Sequence, residues 1–148
     1  MICAESDRDT RAVAAMHPDL PEQLMWQAAD SPDKKVRRAL MMNPGIGADL
    51  LTRMSEDDDV TVLLQVAAHP RASPEAMRRL AEHRSRLVRR VVASQEHLPA
   101  DVAAAMAASP DRSIRLRIAR NPSTTSDLRD VLRTDVAQSV RDAAQRSG

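Results

Sequence analysis

The chain reads as an all-α fold of helical repeats, and three observations lead there. The 148 residues hold 3 glycines against 9 prolines, which leaves few Asn-Gly or Gly-Gly turns for a β-rich fold. Apolar residues make up 43% of the chain, yet Phe and Tyr are absent and Trp occurs once. The interior must therefore be built from Ala, Leu, Val, Ile and Met, which suit closely packed helices. Third, the sequence repeats every 26 residues: AVAAMHP ends at Pro18, ALMMNP at Pro44, QVAAHP at Pro70 and RIARNP at Pro122, with VVASQE, ending at Glu96, in the place between the last two.

The same offset aligns Val36, Val62, Val88, Ile114 and Val140, and likewise Leu40, Val66, Val92 and Ile118. About five and a half copies fill residues 1–148 as one helical-repeat domain, in units 10–35, 36–61, 62–87, 88–113 and 114–139 with a partial 140–148. Each copy reads as two short helices. In the first, the register of Val36, Leu40 and Met41 lies on one helical face. Ser31-Pro32-Asp33 and Ser109-Pro110-Asp111 supply a capping hydroxyl, a proline at the first helical position and an acid near the positive dipole end. Asn43-Pro44 stops the helix, because proline disfavours helical geometry in the residue before it. The second helix starts at caps such as Ser73-Pro74-Glu75 and buries the register of Leu50, Leu51 and Met54.

One such pair cannot bury its apolar stripe alone, so the copies are expected to stack as an α-solenoid of eleven helices. The terminal copies fit this expectation. Gln145 stands where inner copies have Ala67, Ala93 and Ala119, and Thr10 stands where they have Val36.

VRRALMMNP followed by ADLLTRM, and IRLRIARNP followed by SDLRDVL, resemble the leucine-rich repeat variant family: a Val-Arg pair, an apolar run, Asn-Pro, then Asp-Leu in a second helix. The resemblance covers nearly the whole chain. It implies a right-handed superhelix of alternating α and 3₁₀ helices, and no one biochemical activity. Some members carry a cysteine-ligated iron–sulfur module, which a chain with Cys3 as its one cysteine cannot build.

The lone cysteine also excludes an internal disulfide framework and points to a reducing compartment, the cytoplasm by default. No apolar run approaches the roughly 20 residues of a membrane span, and MICAESDRDT turns acidic too early for a signal peptide. A soluble, unexported protein is expected. The net charge of +1 argues against a general nucleic-acid binder. The halves differ, however, with 8 basic and 12 acidic residues through Pro74, then 14 basic and 9 acidic, which leaves room for a local basic face.

Chemistry-bearing motifs are missing. His17 and His69 share the register of Asn43 and Asn121 and read as turn residues, and the histidines lack the short spacing of metal ligands. No Ser-His-acid grouping, glycine-rich phosphate loop or HExxH is present. A protein without enzymatic activity, metal or cofactor is expected.

The arginine register of Arg11, Arg37, Arg89, Arg115 and Arg141, broken by Leu63, could track a phosphate backbone. It reads first as architecture, since Asp7, Asp33 and Asp111 precede Arg11, Arg37 and Arg115 by four residues, the favoured order for a helical ion pair. Arg78, Arg79, Arg84, Arg86, Arg89 and Arg90 form the densest basic stretch, a candidate contact for an acidic partner or nucleic acid, or simply a solvated surface. Without interleaved aromatics an acidic protein fits better than single-stranded nucleic acid. Trp26 falls in a register shared with Thr52, Arg78, Ala104 and Asp130 and is expected to be exposed, a candidate hot spot. Met16, Met42, Leu63 and Leu64 break their registers towards apolar residues and suggest a partner-binding patch, or side chains that seal the first repeat. The reading is a non-catalytic protein-interaction module or scaffold. Its alternatives are a nucleic-acid-binding repeat protein with an arginine-rich face, and a scaffold that self-associates end to end.

Overall fold

The computed structural model describes residues 2–147, with side chains from 7 to 147; Cys3 lies outside the described side chains. Eleven α-helices run through it: α1 (Ile2–Ala15), α2 (Glu22–Ala29), α3 (Lys34–Leu40), α4 (Ala48–Met54), α5 (Val60–Ala68), α6 (Pro74–Ala81), α7 (Arg86–Ala93), α8 (Ala100–Ala107), α9 (Arg112–Arg120), α10 (Ser126–Leu132) and α11 (Gln138–Arg146). The described residues contain no strand. They divide into two compact units, residues 1–76 and 77–148. In unit 1, α3 packs on α1 and α5, while α2 and α4 pack on each other and against that row; in unit 2, α9 packs on α7 and α11, with α8 and α10 beside it. Val36, Leu40, Leu51, Met54 and Val62 are buried in the first unit, and Val88, Val92, Ile114, Ile118 and Val140 in the second.

Three of the odd-numbered helices, α3, α5 and α9, start on aspartate rather than on the serine that the sequence suggests. The N-caps of α3, α5 and α9 are Asp33, Asp59 and Asp111, whose carboxylates accept from the N–H groups of Lys35, Thr61 and Ser113. The serine two residues earlier closes the turn instead, with Ser31 Oγ accepting from Asp33 N–H and Ser109 Oγ from Asp111 N–H, both at 3.2 Å. Proline between them leaves no N–H to satisfy and holds the chain extended into the cap. Asp57, His83 and Asp135 close the matching turns before α5, α7 and α11. At α6 the serine does cap: Ser73 Oγ accepts from Ala76 N–H at 3.1 Å.

The second helices are α, not 3₁₀. Leu51 N–H donates to Gly47, Ala103 to Pro99 and Arg129 to Thr125, each four residues back. A stretch of 7 or 8 residues is long enough to close such rings, and 3₁₀ runs rarely exceed three or four residues.

Behind α1, α3, α5 and α9 sits a turn built by Asn or His. Asn43, buried, donates through Nδ2 to the carbonyls of Ala15 (2.9 Å) and His17 (2.8 Å), and its Oδ1 accepts from Gly45 N–H. Asn121 repeats the arrangement on Ala93, Gln95 and Ser123. His17 and His69 reproduce half of it, each Nδ1 accepting the N–H two residues on. Burial pushes the His69 pKa below the ordinary 6.5, and the Arg71 charge adds to this. A neutral His69 is therefore favoured, and the unfolded chain takes up the proton first. The stability this group contributes is present above pH 6.5 and declines as pH falls below it. His69→Asn keeps the turn acceptor, removes the titration and offers Nδ2 to the carbonyls of Met41 and Asn43, the counterparts of Ala15 and His17. Thermal melts should show a gain of about 1 kcal/mol at neutral pH and a flatter stability profile under mild acid.

The arginine register has a common task. Arg37, Arg89, Arg115 and Arg141 each donate Nη1 to the carbonyl six residues back, on Ser31, His83, Ser109 and Asp135, at 2.8, 2.7, 2.8 and 2.6 Å. The expected pairs with Asp33 and Asp111 do not form: both carboxylates cap their helices, and Asp111 takes Arg86 as its ionic partner. Arg37 pairs instead with Asp57 at 2.7 Å and Asp58 at 3.0 Å, and Arg115 with Asp135 at 2.7 Å. Asp57 and Asp135 each lie twenty residues further on. Asp7 and Arg11 do pair, at 2.7 Å, since Asp7 sits inside α1 and has no capping duty. Thr10 and Gln145 are exposed, as the terminal registers suggest.

Candidate binding surfaces

The basic stretch does not act as one cluster. Arg78 on α6 donates Nε to Asp101 at 2.6 Å. Arg86 pairs with Asp111 at 2.7 Å and donates to Ser113 Oγ at 3.1 Å. Arg89 is held by the carbonyls of His83 and Arg84. Arg79 is half-buried on α6, and Arg84 is exposed in the loop before α7. The electrostatics fit charges neutralised at close range. The Ser113 hydroxyl, then Arg86, hold Asp111 down to about 2 against a burial effect of opposite sign, and the Arg78 hydrogen bond keeps Asp101 below the ordinary carboxylate range. In unit 1, Asp59 is not left without a basic partner as the register with Leu63 suggests. It pairs with Arg38, whose hydrogen bond lowers its pKa.

Arg90 differs. Its Nε is shut off from solvent and has no hydrogen-bond partner among the described residues. With Arg117 and Arg120 of α9 it lines a groove of about 370 Å³ that also takes in Ser94, Leu116 and Pro122. Arg117 Nη1 donates to Ser94 Oγ at 2.8 Å, and Ser94 Oγ in turn donates to the Arg90 carbonyl at 2.9 Å. None of the described residues lining this groove is acidic. Two larger grooves carry their own counter-charges. One, of about 900 Å³ in unit 1, sets Arg8, Arg11 and Lys34 beside Asp33, Asp58 and Asp59. The other, of about 580 Å³ in unit 2, sets Arg78 and Arg89 beside Glu82, Asp101 and Asp111. Arg117 and Arg120 were legible in the sequence as breaks in register, since their places are Ala39 and Met42 one triple period earlier.

The apolar nominations separate. Met42 is 64% exposed and Met16 40%, with Val13 at 64% near Met16. Met16 and Met42 hold one register at the ends of α1 and α3, which pack together. Leu63 is a correction: at 1% exposure it belongs to the core and offers no surface, because an apolar side chain in the arginine register folds inward where a guanidinium would reach for the turn. Leu64 is half-buried. Trp26 is also half-buried rather than exposed, on α2, its Nε1 directed at Glu22 Oε1 at 3.5 Å.

Among the described residues no group of three His, Cys, Asp or Glu side chains is placed to hold a metal, and no helix is long and apolar enough to cross a membrane. Compared with models of protein families, with curated proteins and with solved structures, the chain matches none.

Proposed function

We propose that this chain is a non-catalytic protein-interaction module: a right-handed solenoid of two-helix units with a 26-residue period, acting in the cytoplasm. The resemblance to leucine-rich repeat variants supports the architecture, as do aspartate caps and arginine staples that recur at equivalent places. The observation that carries the function is the exposed apolar row of Val13, Met16 and Met42. Most charged side chains near the helix starts are occupied with the fold's own turns and caps, whereas these three spend apolar surface on water. Exposed apolar groups that share a face mark contact sites more often than scattered ones do, and methionine adapts to a partner's shape.

The test is copurification of tagged full-length chain from extract at near-physiological salt, beside a Met16→Ser, Met42→Ser variant. A protein partner captured by the parent and lost by the variant is the expected result. The melting temperature should stay nearly unchanged, since exposed substitutions move stability by only about 0.5 kcal/mol. No protein partner, or retention by the variant, overturns the reading; recovery of nucleic acid in its place favours a nucleic-acid-binding repeat protein.

A further inference from the structure

The groove of unit 2 bounded by Arg90, Arg117 and Arg120 points to the chemistry of a partner, an inference that rests on the interaction-module reading above. We propose that it binds an acidic, partly apolar segment of another protein, with Asp or Glu carboxylates on the three guanidiniums and an aliphatic side chain against Leu116. Three features of the site argue for this occupant.

The first is charge. The grooves of about 900 and 580 Å³ pair their arginines with carboxylates of the same groove, while this one has three arginines and no acid among its described lining residues. The Nε of Arg90 has no acceptor among the described residues, and since that atom is shut off from solvent a ligand would meet this guanidinium through its Nη atoms. A guanidinium presents a planar fork of donors that matches a carboxylate, so the missing counter-charge is the natural ligand.

The second is placement. Ser94 Oγ accepts from Arg117 and donates to the Arg90 carbonyl, which ties one guanidinium to the end of the neighbouring helix. Some of the side-chain entropy that binding would cost is already spent.

The third is the floor. Leu116 and Pro122 line the groove, and the chain has no Phe or Tyr and one Trp, Trp26 in unit 1, so nucleic-acid bases find no aromatic platform to stack on. A phosphate backbone would leave Leu116 against a charged ligand, whereas an acidic segment with an aliphatic residue covers it. Arg120 and Pro122 are exposed, which leaves the groove open to a chain that continues past it.

The experiment titrates full-length protein with three fluorescently labelled probes: a peptide of alternating Glu and Leu, the same peptide with Gln for Glu, and a short DNA duplex. Fluorescence anisotropy is read at low and near-physiological salt. The Glu peptide should bind, and binding should weaken as salt screens the charges; the Gln peptide should bind far less. Arg117→Glu with Arg120→Glu should weaken the Glu peptide about tenfold or more. Arg120→Glu alone, at an exposed position that the fold does not use, should weaken it in the same direction, so a folding defect in the double variant leaves the test intact. Arg84→Glu, outside the groove, should not change it. Equal binding of the Glu and Gln peptides, indifference to both groove variants, or tighter binding of the duplex overturns the inference. The module reading fails separately: if copurification yields a partner lost on changing Met16 and Met42 while the Glu peptide does not bind, the module stands and the groove does not.

Discussion

Asn121→Leu should destabilise the protein by about 3 kcal/mol, because it strips bonds from the buried Ala93 carbonyl and from part-buried groups of Gln95 and Ser123 at once. The Asn121 side chain is buried; its Nδ2 reaches the carbonyls of Ala93 (3.0 Å) and Gln95 (2.8 Å), and its Oδ1 accepts from the backbone N–H (3.0 Å) and hydroxyl (2.7 Å) of Ser123. Leucine is close in volume, so the loss would come from unmet hydrogen bonding and not from a cavity. An unpaired buried group costs roughly 1–3 kcal/mol, and the total is limited by whatever water or relaxation can repair. Against a whole-domain stability of about 5–15 kcal/mol, urea melts would show this plainly. Asn121→Asp separates the two halves of the network. It keeps the acceptor for Ser123 but sets a carboxylate against two carbonyl oxygens, so its loss should be large at neutral pH and shrink as acid protonates it. A Leu variant as stable as the parent would mean that the carbonyls of Ala93 and Gln95 find other donors. Asn43→Leu should behave alike, through Ala15, His17 and Gly45.

This turn was legible only in outline. The Asn-Pro pair marks the end of a helix from local backbone sterics alone. That the same side chain binds the preceding copy is a tertiary fact, visible in the sequence just as a register shared by Asn and His. Helix number and the buried registers of Val36 and Leu40 were readable because period and burial are tied by helical geometry. Charge pairing was not. The i,i+4 rule assigned Arg37 to Asp33 and Arg115 to Asp111, but each guanidinium is held by the carbonyl six residues back and reaches the aspartate of the next turn, while Asp111 caps its helix and pairs with Arg86. Where the acid lies inside a helix, at Asp7, the local rule holds.

The candidate groove shows the same limit. A linear search for charge density finds residues 78 to 90, yet Arg78, Arg86 and Arg89 all have partners within the fold. Arg90 meets Arg117 and Arg120 because α7 packs on α9, a juxtaposition that spans one repeat and is diluted in any local window. Leu63 failed for a related reason. Its departure from the arginine register was informative, but about packing: with no guanidinium to anchor, the position joins the core.

The pair of Arg115 and Asp135 sets the scale for the rest of the charge network. Arg115 donates Nε to Asp135 Oδ2 at 2.7 Å and Nη2 to Oδ1 at 3.2 Å, and the two side chains are 12% and 8% exposed. Asp135 also accepts the Ala137 N–H at 2.8 Å and so shapes the turn into α11. Asp135→Ala leaves a largely buried guanidinium without its counter-ion, and removal of one partner from such a pair costs about 3 kcal/mol. By contrast, Asp101→Ala breaks a pair whose members are 53% and 57% exposed, and water already screens that charge, so thermal melts should show almost no loss. Asp135→Asn falls between them, since the amide oxygen can keep the Ala137 bond while the ionic attraction goes. The pH dependence gives an independent reading. The Arg115 hydrogen bond holds the Asp135 pKa below its ordinary 3.8, and the Arg115 and Arg141 charges assist. The folded state therefore releases this proton more readily than the unfolded chain. The contribution of Asp135 is complete above the ordinary value and is lost as pH falls through the depressed one. Parent protein should lose stability steeply in that acid range and Asp135→Asn less so; parallel profiles would show that the pair does not couple to folding.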